Sequence, residues 1–321
     1  MLLQVKDLKT HFFIQGKTVK AVDGVSFDID KGEILGIIGE SGCGKSVSAM
    51  SILNLVPKSA GRVVGGEIWY KDKNLLDFSP KEMQKIRGNE ISLIFQEPIQ
   101  ALDPVYTIGN HLYEALSAHQ KISKEEARVK AVELLRLVDI PSPEIRMGEY
   151  AHQFSGGMAQ RAMIAIALAC NPHLLIADEP TTALDVTIQA GILDLIVDLR
   201  NRLDLAIILI THNLGIVAQN ADRICIMYAG RIVEQGRTAD IFKNPSHPYT
   251  QELLRAVPRL DLDNQKLQEI EGTVPNLADL PEGCKFHPRC RFKTDKCTKE
   301  EPLFLKVGEK HQVKCFLRGR E

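Results

Sequence analysis

Gly39-Glu40-Ser41-Gly42-Cys43-Gly44-Lys45-Ser46 lies between an apolar β-branched run, Ile34–Ile38, and a helical run over residues 45–55. The octapeptide fits G-x-x-x-x-G-K-[ST] in the strand, loop and helix context that gives the pattern its meaning. Its glycines let backbone N–H groups converge on phosphate oxygens, and the following helix adds the positive end of its dipole. Lys45 can reach the β and γ phosphates, and the Ser46 hydroxyl suits Mg²⁺. Gly39, Ser41, Gly42, Cys43, Gly44, Lys45, Ser46 and Val47 are therefore the expected nucleotide-binding residues.

Working outward, short apolar runs at 34–38, 91–95, 174–177, 206–210 and 223–227 each precede a segment of helical composition. Strands alternating with helices imply a mainly parallel sheet covered on both faces, so the expected fold class is α/β. Residues 5–12 and 19–29 alternate with Gly and Asp punctuation, which predicts a small antiparallel sheet beside the parallel one. Strand signals lapse between 97 and 150, where a helical insertion is expected. Its clearest helix starts at Ser123, whose Ser-x-x-Glu126 pattern is a capping box, and Pro141 and Pro143 are expected to stop it. A last boundary falls at Asn244-Pro245-Ser246-His247-Pro248, where two prolines should end regular structure.

The run Leu174-Leu175-Ile176-Ala177-Asp178-Glu179 is an apolar strand ending in two carboxylates. Asp178 can hold Mg²⁺, and Glu179 can polarise the water that attacks the γ-phosphate. From the residues alone, the alternative is that both acids simply cap the turn at Pro180.

Composition narrows the class further. The chain has 321 residues, with 40 basic and 41 acidic side chains, so no global field draws it to nucleic acid. With 44% hydrophobic and 25% charged residues it reads as globular. No apolar run approaches the ~20 residues of a membrane span, and charge comes too early at the N-terminus for a signal peptide, so a cytosolic location is expected. The tail is different: residues 281–321 carry a net charge of +5, and four of the seven cysteines, Cys284, Cys290, Cys297 and Cys315, fall there. Four thiolates suit tetrahedral zinc or an iron–sulfur cluster, and disulfides or free thiols stay open. Spacings of five, six and seventeen residues are wide for zinc ribbons and favour the larger cluster.

Phe154-Ser155-Gly156-Gly157-Met158-Ala159-Gln160, upstream of Asp178, makes residues 1–240 resemble the ATP-binding cassette ATPases. The resemblance implies a P-loop NTPase cassette with an N-terminal antiparallel β subdomain and a helical subdomain at about 98–150 that docks on membrane subunits. It implies that Ser155, Gly156 and Gly157 bind the γ-phosphate of ATP held by an opposite ATPase subunit. Gln96 then resembles the glutamine that senses Mg²⁺ and the attacking water, Ala183-Leu184-Asp185 the loop at the dimer interface, and His212 the histidine that orients attack. Phe12, with Phe13 as the alternative, takes the place of the aromatic residue that stacks on adenine.

The Phe-Ser-Gly-Gly-Met form of the signature and the His247-Pro248-Tyr249 sequence are similar to those of oligopeptide and dipeptide importer ATPases. Residues 241–321 would then be their C-terminal extension, in which dipeptide-transporter members carry a 4Fe-4S cluster. The implied partners are a related but different ATPase chain, two transmembrane permeases and, indirectly, an extracytoplasmic solute-binding protein, at the cytoplasmic face of the membrane. Nickel or another small solute is the alternative cargo. A cassette ATPase of DNA repair or translation is disfavoured by the single cassette and the missing heptads.

Overall fold

Two long strands, β1 (Leu3–Ile14) and β2 (Lys17–Ile29), pair antiparallel through a two-residue turn, Gln15 and Gly16, with φ of 49° and 75°. That left-handed pair is the turn whose twist matches a hairpin. The strand β3 (Ile34–Ile38) leaves this layer, and β4 (Gly61–Tyr70) and β5 (Lys73–Asn74) complete a four-stranded sheet in the order β2-β1-β4-β5. This is the antiparallel sheet expected from the alternating N-terminal sequence. The structure, a computed structural model, describes residues 1–182, 184–256 and 270–318.

The chain forms two compact units. One holds residues 30–33 and 77–210, the other residues 1–29, 34–76 and the described residues from Thr211 onward.

In the 77–210 unit, β6 (Ile91–Ile94), β7 (Leu174–Asp178) and β8 (Ala206–Thr211) run parallel, with Ile94 beside Ala177 and Asp178 beside Ile210. Every residue of β7 and β8 is buried. That explains why their sequences read as unbroken apolar runs rather than alternation, since both faces are covered. The helices Ile108–Ser117, Lys124–Leu137 and Gly156–Leu168 pack on one another through Leu112, Leu116, Ala127, Ala131 and Leu135. Ser123 and Glu126 make the expected capping box. The helix ends at Leu137, before either proline, because Asp139 turns left-handed at φ 56°.

In the other unit, β3 runs parallel to β9 (Arg223–Tyr228), which pairs antiparallel with β10 (Arg231–Arg237). The C-terminal region adds β11 (Leu305–Lys306) and β12 (Gln312–Val313) in the order β11-β12-β10-β9-β3. Of the two prolines at 244–248, only Pro245 follows a helix end. Pro248 is the first residue of a new helix, Pro248–Arg255, where its missing N–H costs nothing. Tyr228, Tyr249 and Phe286, all buried, lock the C-terminal region onto β9 with ring centroids 4.7, 5.2 and 5.4 Å apart. Among the described residues no helix is long and apolar enough to cross a membrane.

Candidate functional site

The loop after β3 is held so tightly that two of its glycines have no room for a side chain. A Cβ on Gly39 would lie 2.2 Å from the Met227 carbonyl oxygen, and one on Gly44 would lie 2.2 Å from that of Ala21. Gly44 also sits at φ 105°, a conformation that side chains resist. It is the N-cap of the helix Lys45–Ile52, which has neither a side-chain cap nor an acid in its first turn. The helix start, with Ser46 and Val47 in its first turn, therefore directs the positive end of its dipole at the loop with no acidic side chain there to neutralise it. Lys45 is 4% exposed and donates to the Gly39 and Glu40 carbonyls at 2.8 and 3.0 Å. Cys43 is buried, and its carbonyl accepts from the Gly230 N–H at 2.9 Å. Ser41 and Gly42 are exposed, and nothing stands within 4 Å of a Cβ built on Gly42. An uncapped helix start beside a buried ammonium fits the phosphates of ATP.

Phe12 and Phe13 diverge. The Phe12 ring lies on Gly61, whose Cβ would come within 2.7 Å of it, whereas Phe13 is exposed with the Arg62 guanidinium 4.7 Å from its ring centre. His212 is exposed directly after β8.

In the 77–210 unit, parallel pairing of β6 and β7 brings two expected residues together. Gln96 Nε2 donates to Glu179 Oε2 at 3.0 Å, and Thr182 Oγ1 donates to the same oxygen at 2.9 Å. Glu179 has φ 47°, and its N–H donates to the Ile210 carbonyl at 2.9 Å, which fixes the carboxylate at the end of the strand. Asp178, the last residue of β7, is buried. Thr182 was not anticipated from sequence, although a hydroxyl three residues after a strand-end acid is a usable signal.

Ser155 caps the helix Gly156–Leu168 by accepting from the Met158 N–H at 3.3 Å. Asp185 caps the helix Val186–Leu203 by accepting from the Ile188 N–H at 3.0 Å. The two starts touch: a Cβ on Gly156 would lie 3.1 Å from Leu184 Cδ2, and one on Gly157 would lie 2.7 Å from Ile188 Cγ2. Ala183 lies outside the described residues.

The four C-terminal cysteines are free, with Cys297 and Cys315 buried and Cys284 and Cys290 partly so. Burial pushes the Cys284, Cys290 and Cys315 thiols up, Cys315 to about 11, and neighbouring cysteines of the set push each further. Mutual influence of this kind means that the fold gathers them into one neighbourhood. The Cys284 N–H donates to the Cys297 carbonyl at 2.9 Å. A single tetrahedral ion needs thiolates within about 4 Å of one another. Among the described residues no group of three or more His, Cys, Asp or Glu is placed to hold a metal ion. The structure therefore does not show the expected cluster-bearing extension.

Residues 22–182 match the family model described as ABC transporter, and residues 233–297 match that described as Oligopeptide/dipeptide transporter, C-terminal region. The probable peptide ABC transporter ATP-binding protein y4tR of Sinorhizobium fredii is 51% identical over 317 residues, covering 98% of this chain and 95% of the relative. The oligopeptide transport ATP-binding protein AppD of Bacillus subtilis is 50% identical, covering 100% and 98%, and the dipeptide transport ATP-binding protein DppD of Escherichia coli is 46% identical, covering 98% and 96%. Among solved structures, the ATP-binding cassette MJ0796 in a dimeric post-hydrolysis state bound to ADP and Pi superimposes with a TM-score of 0.67 at 27% identity, over 74% of this chain and 99% of that one. A phosphate loop on β3, paired acids closing β7 and full-length identity near one half lead to one assignment: the chain belongs to the ABC transporter family, as an ATPase of the oligopeptide/dipeptide importer type.

Proposed function

We propose that this chain is the ATP-hydrolysing subunit of an importer for dipeptides or oligopeptides. The observation that carries the reading is the uncapped, glycine-crowded loop with buried Lys45 in a chain half identical to peptide-transport ATP-binding proteins. Gly39 to Val47 bind the triphosphate, Lys45 neutralises its β and γ oxygens, and Phe12 stacks on the base. Ser46, Asp178 and Gln96 hold Mg²⁺, which when bound screens the phosphate charge. Glu179, held by Gln96 and Thr182, takes the proton of the attacking water, and His212 orients the γ-phosphate.

Ser155, Gly156 and Gly157 serve the ATP held by a second ATPase subunit, and Asp185 supports that junction. The partner is a related, different chain. The helical stretch 98–150 passes closure of the pair to two permeases at the cytoplasmic face of the membrane, and an extracytoplasmic binding protein delivers the peptide. Reconstitution with the permeases tests the reading. Peptide-stimulated phosphate release that Lys45→Ala abolishes is the expected result, and stimulation by nickel alone would reassign the cargo.

For the C-terminal region, we read Cys284, Cys290, Cys297 and Cys315 as ligands of a structural 4Fe-4S cluster, with 241–321 as the extension that carries it. Four cysteines in one short stretch without a disulfide among them support this reading, as do spacings wider than those of zinc ribbons. Anaerobic purification should give brown protein containing iron, and colourless protein with stoichiometric zinc would replace the cluster.

A further inference from the structure

We propose that the C-terminal region completes the nucleotide site: Arg289 and Tyr249 position Glu40, and through Glu40 they position Lys45. The proposal rests on the ATPase reading above and adds to it residues that no phosphate-loop pattern contains.

Glu40 is the second residue of the loop, and three of its groups are tied. Its backbone N–H donates to the Tyr249 hydroxyl at 3.1 Å. Its carbonyl accepts from Lys45 Nζ at 3.0 Å. Its carboxylate accepts from Arg289 Nη1 on both oxygens, at 2.9 and 3.2 Å. Arg289 is itself over-determined. Its side chain is 4% exposed, Nε donates to the Glu271 carbonyl at 2.9 Å, and Nη2 donates to that of Ile270 at 3.3 Å. The guanidinium centre lies 5.8 Å from the Tyr228 ring and 6.0 Å from that of Phe286. A guanidinium this enclosed requires an ionised partner, and Glu40 is the carboxylate it meets.

The charge arithmetic gives the arrangement its purpose. A carboxylate inside a loop that receives a triphosphate repels the ligand and competes with it for Lys45. Arg289 cancels that charge and turns the carboxylate away from the lysine. The Tyr249 hydroxyl meanwhile holds the Gly39–Glu40 peptide group through its N–H, and the carbonyl of that same group, Gly39's, accepts from Lys45 Nζ at 2.8 Å. Neither residue needs to touch ATP, so both are positioning residues.

The test uses the full chain and equilibrium binding of a fluorescent ATP analogue, with thermal melting as the folding control. Arg289→Met should raise the Kd about tenfold by leaving Glu40 uncompensated, and adding Glu40→Gln should restore most of the loss. A folded Arg289→Met with unchanged Kd overturns the proposal, and so does a loss that Glu40→Gln fails to repair. If Arg289→Met does not fold, Tyr249→Phe decides: a Kd about threefold higher supports the proposal, and an unchanged one overturns it. The underlying reading is tested separately. Wild-type protein that binds no analogue refutes the ATPase assignment, whereas binding that only Lys45→Ala abolishes leaves that assignment standing and removes this inference.

Discussion

The side-chain amide of Gln96 and the carboxylate of Glu179 are joined by a hydrogen bond of 3.0 Å, although 83 residues separate them. Parallel pairing of β6 with β7 sets Ile94 beside Ala177, so the residues that follow each strand emerge side by side. Thr182 Oγ1 donates to the same carboxylate oxygen at 2.9 Å. Two donors from different parts of the chain thus fix the orientation of this carboxylate.

Replacing Glu179 by Gln keeps the shape and removes the base. ATP binding should stay near the wild-type level while steady-state hydrolysis falls by about 10²-fold or more. Phosphate release measured beside analogue binding checks this, and unchanged turnover would remove Glu179 from the chemistry.

Gln96→Ala removes one of the donors that orient the carboxylate. Here kcat should drop about tenfold with a much smaller change in KM, because the lost contact acts on the geometry of attack and not on the phosphates. A rise in KM at constant kcat would instead place Gln96 in ATP binding.

Gly39→Ala brings a methyl group to 2.2 Å from the Met227 carbonyl and 2.7 Å from Cys43 Sγ. Backbone on a buried strand cannot yield as a flexible side chain would. The variant should lose about 1–3 kcal/mol of stability together with ATP affinity. Chemical denaturation and analogue binding read the two losses, and a variant that matches wild type in both would contradict the close approach.

Acid should destabilise the C-terminal region. Burial pushes the His247 imidazole down from 6.5 to about 4, and its Nδ1 accepts from the Tyr249 N–H at 3.0 Å. The folded state therefore binds this proton more weakly than the unfolded chain. The resulting stability is complete above about pH 6.5 and is lost as pH falls toward 4, by about 3 kcal/mol. Glu234 acts with the same sign. Burial alone would raise its carboxyl, but His311 and the N–H groups of His247 and Ser246 outweigh this and hold it below the usual range. Denaturation midpoints at pH 7 and pH 4.5 should differ accordingly, and equal midpoints would show that His247 titrates normally.

Much of the fold was legible where local physics decides. The capping box at Ser123, the apolar runs of β3, β7 and β8, and the glycine pattern of the phosphate loop are short-range signals, and each appears where it was read. Two stops were misread. Pro141 and Pro143 do not end their helix, because Asp139 turns left-handed first, and Pro248 opens a helix instead of preventing one. Proline forbids only a helix interior, so its presence marks a boundary without saying which side is helical.

By itself, the sequence determined that there is a strand–loop–helix built for phosphate, a strand ending in two acids and a tail rich in cysteine, because each depends on residue types at close spacing. Only the tertiary structure decided which distant groups answer to one another. It joined Gln96 and Thr182 to Glu179 and set Arg289 against Glu40 across 249 positions. Such pairings arise from strand order and from the burial of aromatic rings at Tyr228, Tyr249 and Phe286. No local pattern carries them, since the contact energy belongs to surfaces that exist only once the chain has folded.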